Sequence, residues 1–508
     1  MATHLIDDDK EEHSIAVLEV HHDSMPEELR GLSEEELKAI EKKLVRKADL
    51  VILPVMGILY ILNYIDRQNL GAAKIQGIMV DLNMTTDQFA TAVSILFVGY
   101  LPFQIPSNLL ISRLSRPGLY ICCACAIWGC ISACTAAVHS YSALLAVRVI
   151  LGAVESAFFP GAIYLLSAWY TKNELGKRIG GLYVGQQVGN AFGGLIAAGC
   201  LKLDGRMGLS GWRWLFIIEG AATVGIALLS ALILPEYPYN ARLLTPLERK
   251  VAVWRLEKEA GAAEGSETVG TWAGFLQSFK DPKLYLLIFC NMMSQTQGSI
   301  ANFFPTIVKT LGYNSILTLV LTAPPYIFAG FYYMGLTALS DKTGKIYLFI
   351  MINIGLAICT YIVPMATLSV PGRYVAMIFM PCTSVGPQLL LYKTINHHMP
   401  RPLAKRAATI ALMNSIGGTS NIWASYLWFA GPRYFAAFGT CGYLWIRLGA
   451  DDSVIAAAVA FAITITGYLL YVRHENKLLD GTPEQVDKVK GRGVTTEQVD
   501  MGWRYEGY

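Results

Sequence analysis

The sequence predicts an all-α membrane protein with about twelve transmembrane helices in two six-helix bundles. Three observations lead there. The 508 residues are 54% hydrophobic and only 16% charged, whereas a soluble chain carries about a quarter charged residues. The apolar residues run in blocks of roughly 18 or more, the length that crosses the hydrocarbon core of a bilayer. Six such blocks, a polar stretch and six further blocks form the pattern of two repeated halves.

The elements follow in order. Residues 1–47 read as a polar tail that closes with an amphipathic helix over 31–47, where Ser33 precedes a Glu-rich first turn. The acidic N-terminal stretch does not read as a signal peptide. Spans are expected at about 48–68, 88–111, 118–138, 142–164, 178–201 and 212–234, making a first bundle over 48–234. A cytosolic loop over 235–282 holds Pro235, Pro238 and Pro246. Spans at about 283–305, 315–337, 345–366, 373–395, 407–430 and 453–473 make a second bundle over 283–473, before a tail over 474–508.

Composition also excludes several classes. A net charge of +3 and the lack of a basic module argue against nucleic acid. Five of the ten cysteines fall between Cys122 and Cys134 without zinc-type spacing, so they read as small packing residues. His397 and His398, with His474, are the best candidates for an enzyme's metal site. A lone His pair beside Arg401 and Lys405 reads instead as a solvated loop, because a metal needs at least three convergent ligands. Neither a metal, a cofactor nor an enzymatic activity is expected.

Basic residues set the orientation. Arg113, Arg116, Lys172, Lys177, Arg178, Lys342, Lys345, Arg401, Lys405 and Arg406 lie in loops on the side of the two tails, as do the basic residues of the central loop. The opposite loops hold Lys74, Lys202, Arg206, Lys309, Arg433 and Arg447 and little else. The bias is roughly twofold and places both termini in the cytosol. The sequon Asn83-Met84-Thr85 falls in the first outer loop, which makes Asn83 a glycosylation candidate. In the fifth span, Gly181, Gly185, Gly189 and Gly193 recur every four residues and let a neighbouring helix approach closely.

Several motifs then carry a family resemblance. They are Asn63-Tyr64-Ile65-Asp66-Arg67-Gln68-Asn69-Leu70, Arg148-x-x-Leu151-Gly152-x-x-Glu155 followed by Phe159-Pro160-Gly161, and Gly211-Trp212-Arg213-Trp214-x-Phe216-x-x-Glu219-Gly220. Asn302-Phe303-Phe304-Pro305 through Leu311-Gly312-Tyr313 closes the seventh span. Over roughly residues 45–475 the chain resembles the anion:cation symporters of the major facilitator superfamily, in the fungal branch of allantoate, nicotinate and vitamin permeases. The segment Ser107–Arg113 is a degenerate form of the superfamily's gating loop, while the second copy keeps Asp341. Arg113 and Asp341 are therefore the gating candidates. Tyr392 stands where many fungal relatives have Trp.

Ionisable residues within a span are costly, roughly 2.5–3.5 kcal/mol each at the centre on insertion scales, so each is a functional candidate. The first half holds Asp66, Arg67, Arg148, Glu155 and Glu219, whereas the second offers mainly Asn and Gln. With span 1 ending near residue 68, Asp66 and Arg67 are expected near its outer end. Arg148 and Glu155 lie about 10 Å apart along their helix, on nearly one face. Arg148 can then approach the depth of Asp66, and Glu155 sits near mid-membrane without a permanent cation. A carboxyl in such a place can load and release a proton. For Glu219 the favoured role is structural.

The resemblance implies the same acids. It assigns proton coupling to Asp66 and Glu155, and positioning of the acids or the anion to Arg67 and Arg148. It implies a cavity faced by helices 1, 4, 7 and 10, with Tyr100 and Gln186 on its wall. Asn302, Tyr392 and Asn414 add polar and aromatic groups from the second half. The implied function is proton-coupled import of a small organic anion by a monomer in the cell membrane, with protons, the anion and lipid as partners. A proton antiporter exporting a carboxylate-bearing metabolite is the alternative. Antiporters of that superfamily carry a Gly-Pro dipeptide in span 5, where this chain has Gly189-Asn190. A channel or transceptor also stays open.

Overall fold

The computed structural model describes residues 29–111, 113–264, 271–398, 403–428 and 454–481, together with Pro26, Val486, Val489 and Tyr505. Every regular element among these residues is helical. Helix α1 (Glu34–Ile75) starts with a capping box, in which Ser33 Oγ accepts from the Glu36 amide at 3.3 Å and Glu36 accepts from the Ser33 amide at 2.9 Å. The expected amphipathic helix and the first span are therefore one continuous element of 42 residues. It also runs beyond residue 68, so Asp66 lies nine residues, about 14 Å, short of its end. Asp66 and Arg67 are deeper than the sequence suggested.

A short helix α2 (Ile78–Asp81) leads to α3 (Thr86–Ile111) and α4 (Pro117–Cys134). The expected fourth span is broken into α5 (Tyr141–Glu155) and α6 (Phe158–Ser167). Pro160 lacks the amide hydrogen that would bond the Ser156 carbonyl, and the break falls there, just after Glu155. Helices α7 (Lys172–Leu201) and α8 (Gly211–Ile233) complete the first half. Within the central stretch lie α9 (Pro246–Glu264) and α10 (Thr271–Lys280). The second half holds α11 (Pro282–Gly298), α12 (Ile300–Lys309), α13 (Ser315–Val320), α14 (Ala323–Thr343), α15 (Ile346–Ala366) and α16 (Val370–His398), then α17 (Leu403–Gly418), α18 (Ser420–Ala424) and α19 (Val454–Leu479).

Among the described residues, nine helices are long and apolar enough to cross a membrane. The other expected spans fall on α7, on α11 with α12, and on α17 with α18. These carry the glycine stripe, Gln295, Asn302, Asn414 and Asn421, and the polar residues lower their hydropathy. Of the stripe, Gly185, Gly189 and Gly193 face α1, and a Cβ on Gly189 would meet the Ile61 carbonyl at 2.7 Å. Gly181 has open space instead.

Apolar packing divides the molecule. One core cluster draws on the first half and on the central stretch packed against it, including Leu44, Trp128, Phe158, Trp169 and Ala252. Another draws only on the second, including Leu287, Ile350, Phe461 and Tyr468. The clusters that contain residues of both halves lie at one end, where Leu70, Phe89 and Trp212 join Phe303, Phe304 and Tyr326. We call this the far end. The tail end is opposite, where α1 begins, α9 docks and α19 finishes. The halves thus touch at the far end and separate toward the tail end.

At the tail end α9 is fastened to the first half. Val251 and Trp254 cover Leu29 and Leu37, Lys47 donates to both Glu248 oxygens at 2.8–2.9 Å, and Arg255 pairs with Glu174 at 3.2 Å. Burial alone would push the Glu248 carboxyl up, but the Lys47 ammonium and the Thr245 amide hold it below the ordinary carboxylate value. Its contribution is therefore present at neutral pH and lost as the pH falls through that lowered value.

The second half has a buried charge cluster at the same end. Lys283 donates to Glu475 at 2.8 Å and to the Tyr505 hydroxyl, and Lys405 donates to Asp281 at 2.6 Å. All four charged side chains are at most 2% exposed. His398, expected in a solvated loop, is instead the buried end of α16 and meets the Tyr468 hydroxyl at 2.8 Å. Breaking a buried ion pair from one side costs roughly 3–5 kcal/mol, because the other charge is left without its partner. Lys283→Gln should therefore lower the Tm of the purified protein strongly. Lys38→Gln, which breaks an exposed pair with Glu34, should leave it unchanged; equal shifts in a melting assay would show that the cluster is not holding the helices.

Candidate functional site

The site begins with a helix crossing. A Cβ on Gly152 of α5 would lie 2.1 Å from the Leu96 carbonyl of α3, and one on Gly99 would lie 2.2 Å from the Val149 carbonyl. The two backbones touch, and this close approach requires glycine on both helices. Tyr100 follows Gly99 by one residue, and Glu155 follows Gly152 by three. The crossing therefore fixes both at one level of the first half.

Glu155 meets α1 there. Its Oε1 accepts from Asn63 Nδ2 at 2.6 Å and from Arg67 Nε, while Oε2 is buried with no hydrogen-bond partner. The Arg67 guanidinium also lies 5.0 Å from the Tyr100 ring centroid and 5.4 Å from that of Tyr64. Glu155 was expected to lack a permanent cation. Arg67 supplies one, because α1 continues past it and leaves it inside the helix rather than at an interface.

Asp66, next along α1, points the other way. Its Oδ1 accepts from Ser132 Oγ of α4 and lies 3.5 Å from Asn69 Nδ2. Arg148 is buried among the same charges, with Asp66 foremost, and its Nε donates to the Ala92 carbonyl at 3.3 Å. Two acid–base sets therefore stand back to back on α1. One joins Arg67 to Glu155, and the other brings Arg148 beside Asp66.

A central cavity of about 190 Å³ opens between the halves. Tyr100, Gln186, Asn302 and Asn414 line it. Arg67 is the one lining residue that is charged at neutral pH among the described residues. Arg148 does not line the cavity. Nor does Tyr392, whose hydroxyl reaches it indirectly by donating to Asn414 Oδ1 at 3.2 Å. Sequence reasoning missed Tyr60, Tyr64 and Tyr183 on the wall. The spacing of Tyr60, Tyr64 and Arg67 was a usable signal, since positions i, i+4 and i+7 share a helix face.

The remaining candidates lie away from the cavity. Arg113 is exposed at the tail end of α3. Asp341 pairs with Lys393 of α16 at 2.6 Å, and Lys393 also donates to Ser340 at 3.0 Å. Asn83 is exposed in the far-end loop with φ +48°, and Thr85 exchanges capping hydrogen bonds with Gln88 at the start of α3. No group of three metal-ligating side chains occurs among the described residues.

Residues 56–425 match the sequence profile described as Major Facilitator Superfamily. The chain belongs to the Major Facilitator Superfamily. It is 31% identical over 478 residues to MFS-type transporter cnsO of Penicillium expansum, covering 91% of this chain and 89% of that protein. It is 32% identical over 464 residues to Uncharacterized transporter C1683.12 of Schizosaccharomyces pombe, covering 90% and 92%. A solved bacterial homologue of the human lysosomal transporter Spinster, inward-facing and unoccupied, shares the fold with a TM-score of 0.63. That match has 19% identity and covers 82% of this chain and 96% of the other. This Major Facilitator Superfamily chain is thus a multi-pass membrane transporter.

The glycine crossing gives a direct test. Gly152→Ala places a methyl group against the α3 backbone and should cost about 1–3 kcal/mol through overpacking. Melting temperature and transport should both fall. Gly176→Ala, at a position with open space around it, should change neither. Unaltered melting of Gly152→Ala would mean that the crossing is loose.

Proposed function

We propose that the protein imports a small organic anion together with protons, by alternating access across the cell membrane. The observation that carries this reading is Arg67. It is the sole charged group on the cavity wall among the described residues, and its partner is the buried Glu155. An arginine holds a carboxylate in a planar fork. While Glu155 is ionised it occupies that cation. A proton on Glu155 removes the competing charge and frees Arg67 for the carboxylate of a substrate. Proton and anion then enter the cavity as a neutral pair, which is what coupling requires. Asp66, Arg148 and Ser132 form the second set, which we assign to proton access.

The resemblance to anion:cation symporters supports a compact carboxylate of the nicotinate, allantoate or pantothenate kind. Tyr60, Tyr64, Tyr100 and Tyr183 offer aromatic faces, and Gln186, Asn302, Gln388 and Asn414 offer amides for its polar edge. In this reading twelve helices span the bilayer, since α7, α11–α12 and α17–α18 also cross it with their polar residues turned to the cavity. The tail end is cytosolic, following the basic residues there, so the separated halves form an inward opening. Arg113 and Asp341 take part in closing that end, and Asn83 faces outside and carries the glycan. The protein acts as a monomer.

Uptake should strengthen as the external pH falls and collapse with a protonophore; sodium-driven uptake that ignores the protonophore would defeat the proposal. Glu155→Gln resembles the protonated acid. It should still exchange substrate in counterflow but fail to concentrate it. Arg67→Ala should weaken anion affinity roughly 10- to 150-fold, the worth of a charged hydrogen bond. Arg67→Lys should recover little of it, having no fork. Net accumulation by Glu155→Gln equal to that of the parent would reduce Glu155 to a packing residue.

A further inference from the structure

The proposed coupling leaves one buried acid unused. Glu219 on α8 is 4% exposed, and both its carboxyl oxygens are buried with no hydrogen-bond partner. It sits beside a seam where α8 and α4 touch backbone to backbone. A Cβ on the adjacent Gly220 would lie 2.6 Å from the Gly129 carbonyl and 2.7 Å from the Ala133 amide nitrogen. Glu219 forms no ion pair among the described residues. An isolated carboxylate in such a place is so unfavourable that the group neutralises instead.

The neighbours say where a proton would go. Among the described residues, the titratable groups close enough to interact with Glu219 are Asp66 of α1 and Cys200 of α7. Helix α4 carries no charged residue, and Arg148 of α5 lies beyond Asp66. The Asn69 side chain of α1 lies beside Glu219. Its Oδ1 is also buried without a partner, while its Nδ2 is directed to Asp66 at 3.5 Å. An ionised carboxylate can only accept hydrogen bonds, and so can an amide oxygen. With neither carboxyl oxygen nor the Asn69 amide oxygen given a donor, both groups stay unsatisfied. A proton on Glu219 supplies the missing donor and satisfies both. Turning the Asn69 amide over reverses the pattern, with Nδ2 toward an ionised Glu219 and Oδ1 toward a protonated Asp66. The amide therefore links one proton to two alternative homes.

We propose that Glu219 is a second proton-binding site, which holds its proton in this conformation and exchanges it with Asp66 through the Asn69 amide. Only its use in transport rests on the proton-coupled reading above; its occupancy does not. Infrared spectroscopy of the full chain in lipid nanodiscs near neutral pH tests it without any substrate. The parent should show a protonated-carboxyl band that shifts in heavy water, and Glu219→Gln should lose it. Asn69→Leu should keep the band and move it to higher frequency, because the hydrogen bond to the amide is gone. If Glu219→Gln does not fold, the same band can be read without touching Glu219. Glutamate labelled with carbon-13 at its carboxyl, incorporated into Glu155→Gln protein, should shift the band. A band that survives Glu219→Gln unchanged, or that does not respond to labelled glutamate, overturns the proposal. If the band behaves as expected while uptake by the parent ignores a protonophore, the coupling reading falls and the proton site stands.

Discussion

Arg67 and Glu155 meet where neither charge can be left alone. Glu155 is almost wholly enclosed, and Arg67 is partly open to the cavity. Much of the first half serves to bring them together. The glycine contact between α3 and α5 sets the level of Glu155. The long, uninterrupted α1 sets the level of Arg67. Gly189 draws α7 onto α1 and closes the wall behind Tyr64. A few tenths of an ångström at any of these contacts would change how fully the acid neutralises the base.

The far end is held by different chemistry. Lys74 of α1 lies 4.7 Å from the Phe89 ring centroid and 5.8 Å from that of Phe303, so one cation touches an aromatic face from each half. Phe303 stacks on Trp428 at 5.7 Å, and Trp428 donates to Ser299 at 3.1 Å. Tyr426 reaches across to Thr91 at 3.0 Å. These contacts are short-ranged and carry no opposed formal charges. They can part without leaving a bare ion pair in the membrane, unlike the buried charge cluster of the second half.

Much of this was legible in the sequence. Long apolar blocks gave the helices, and spacing along α5 gave the approach of Arg148 to Asp66. Tyr100, Gln186, Asn302 and Asn414, singled out from their types and motifs, stand on the cavity wall. The misses have one cause: periodicity fixes a residue's place on its own helix, but not how deep that helix sits or what crosses it. The length of α1 moved Asp66 and Arg67 inward and gave Glu155 a cation. His398 and Lys405 looked like loop residues because their partners, Tyr468 and Asp281, are distant in sequence. The polar faces of α7, α11 and α17 hid their length from hydropathy for the same reason that they suit a cavity.

Tyr505 has a consequence for how the protein is made. Its backbone is tied to Asn476 by hydrogen bonds of 3.0 Å in both directions, and its hydroxyl accepts from Lys283. Lys283 emerges at the start of the second half, yet this partner is synthesised only after every helix described here. During synthesis the ammonium must wait beside Glu475 with one position of its coordination unfilled. The hydroxyl contact ties Tyr505 into the same buried cluster as Lys283 and Glu475.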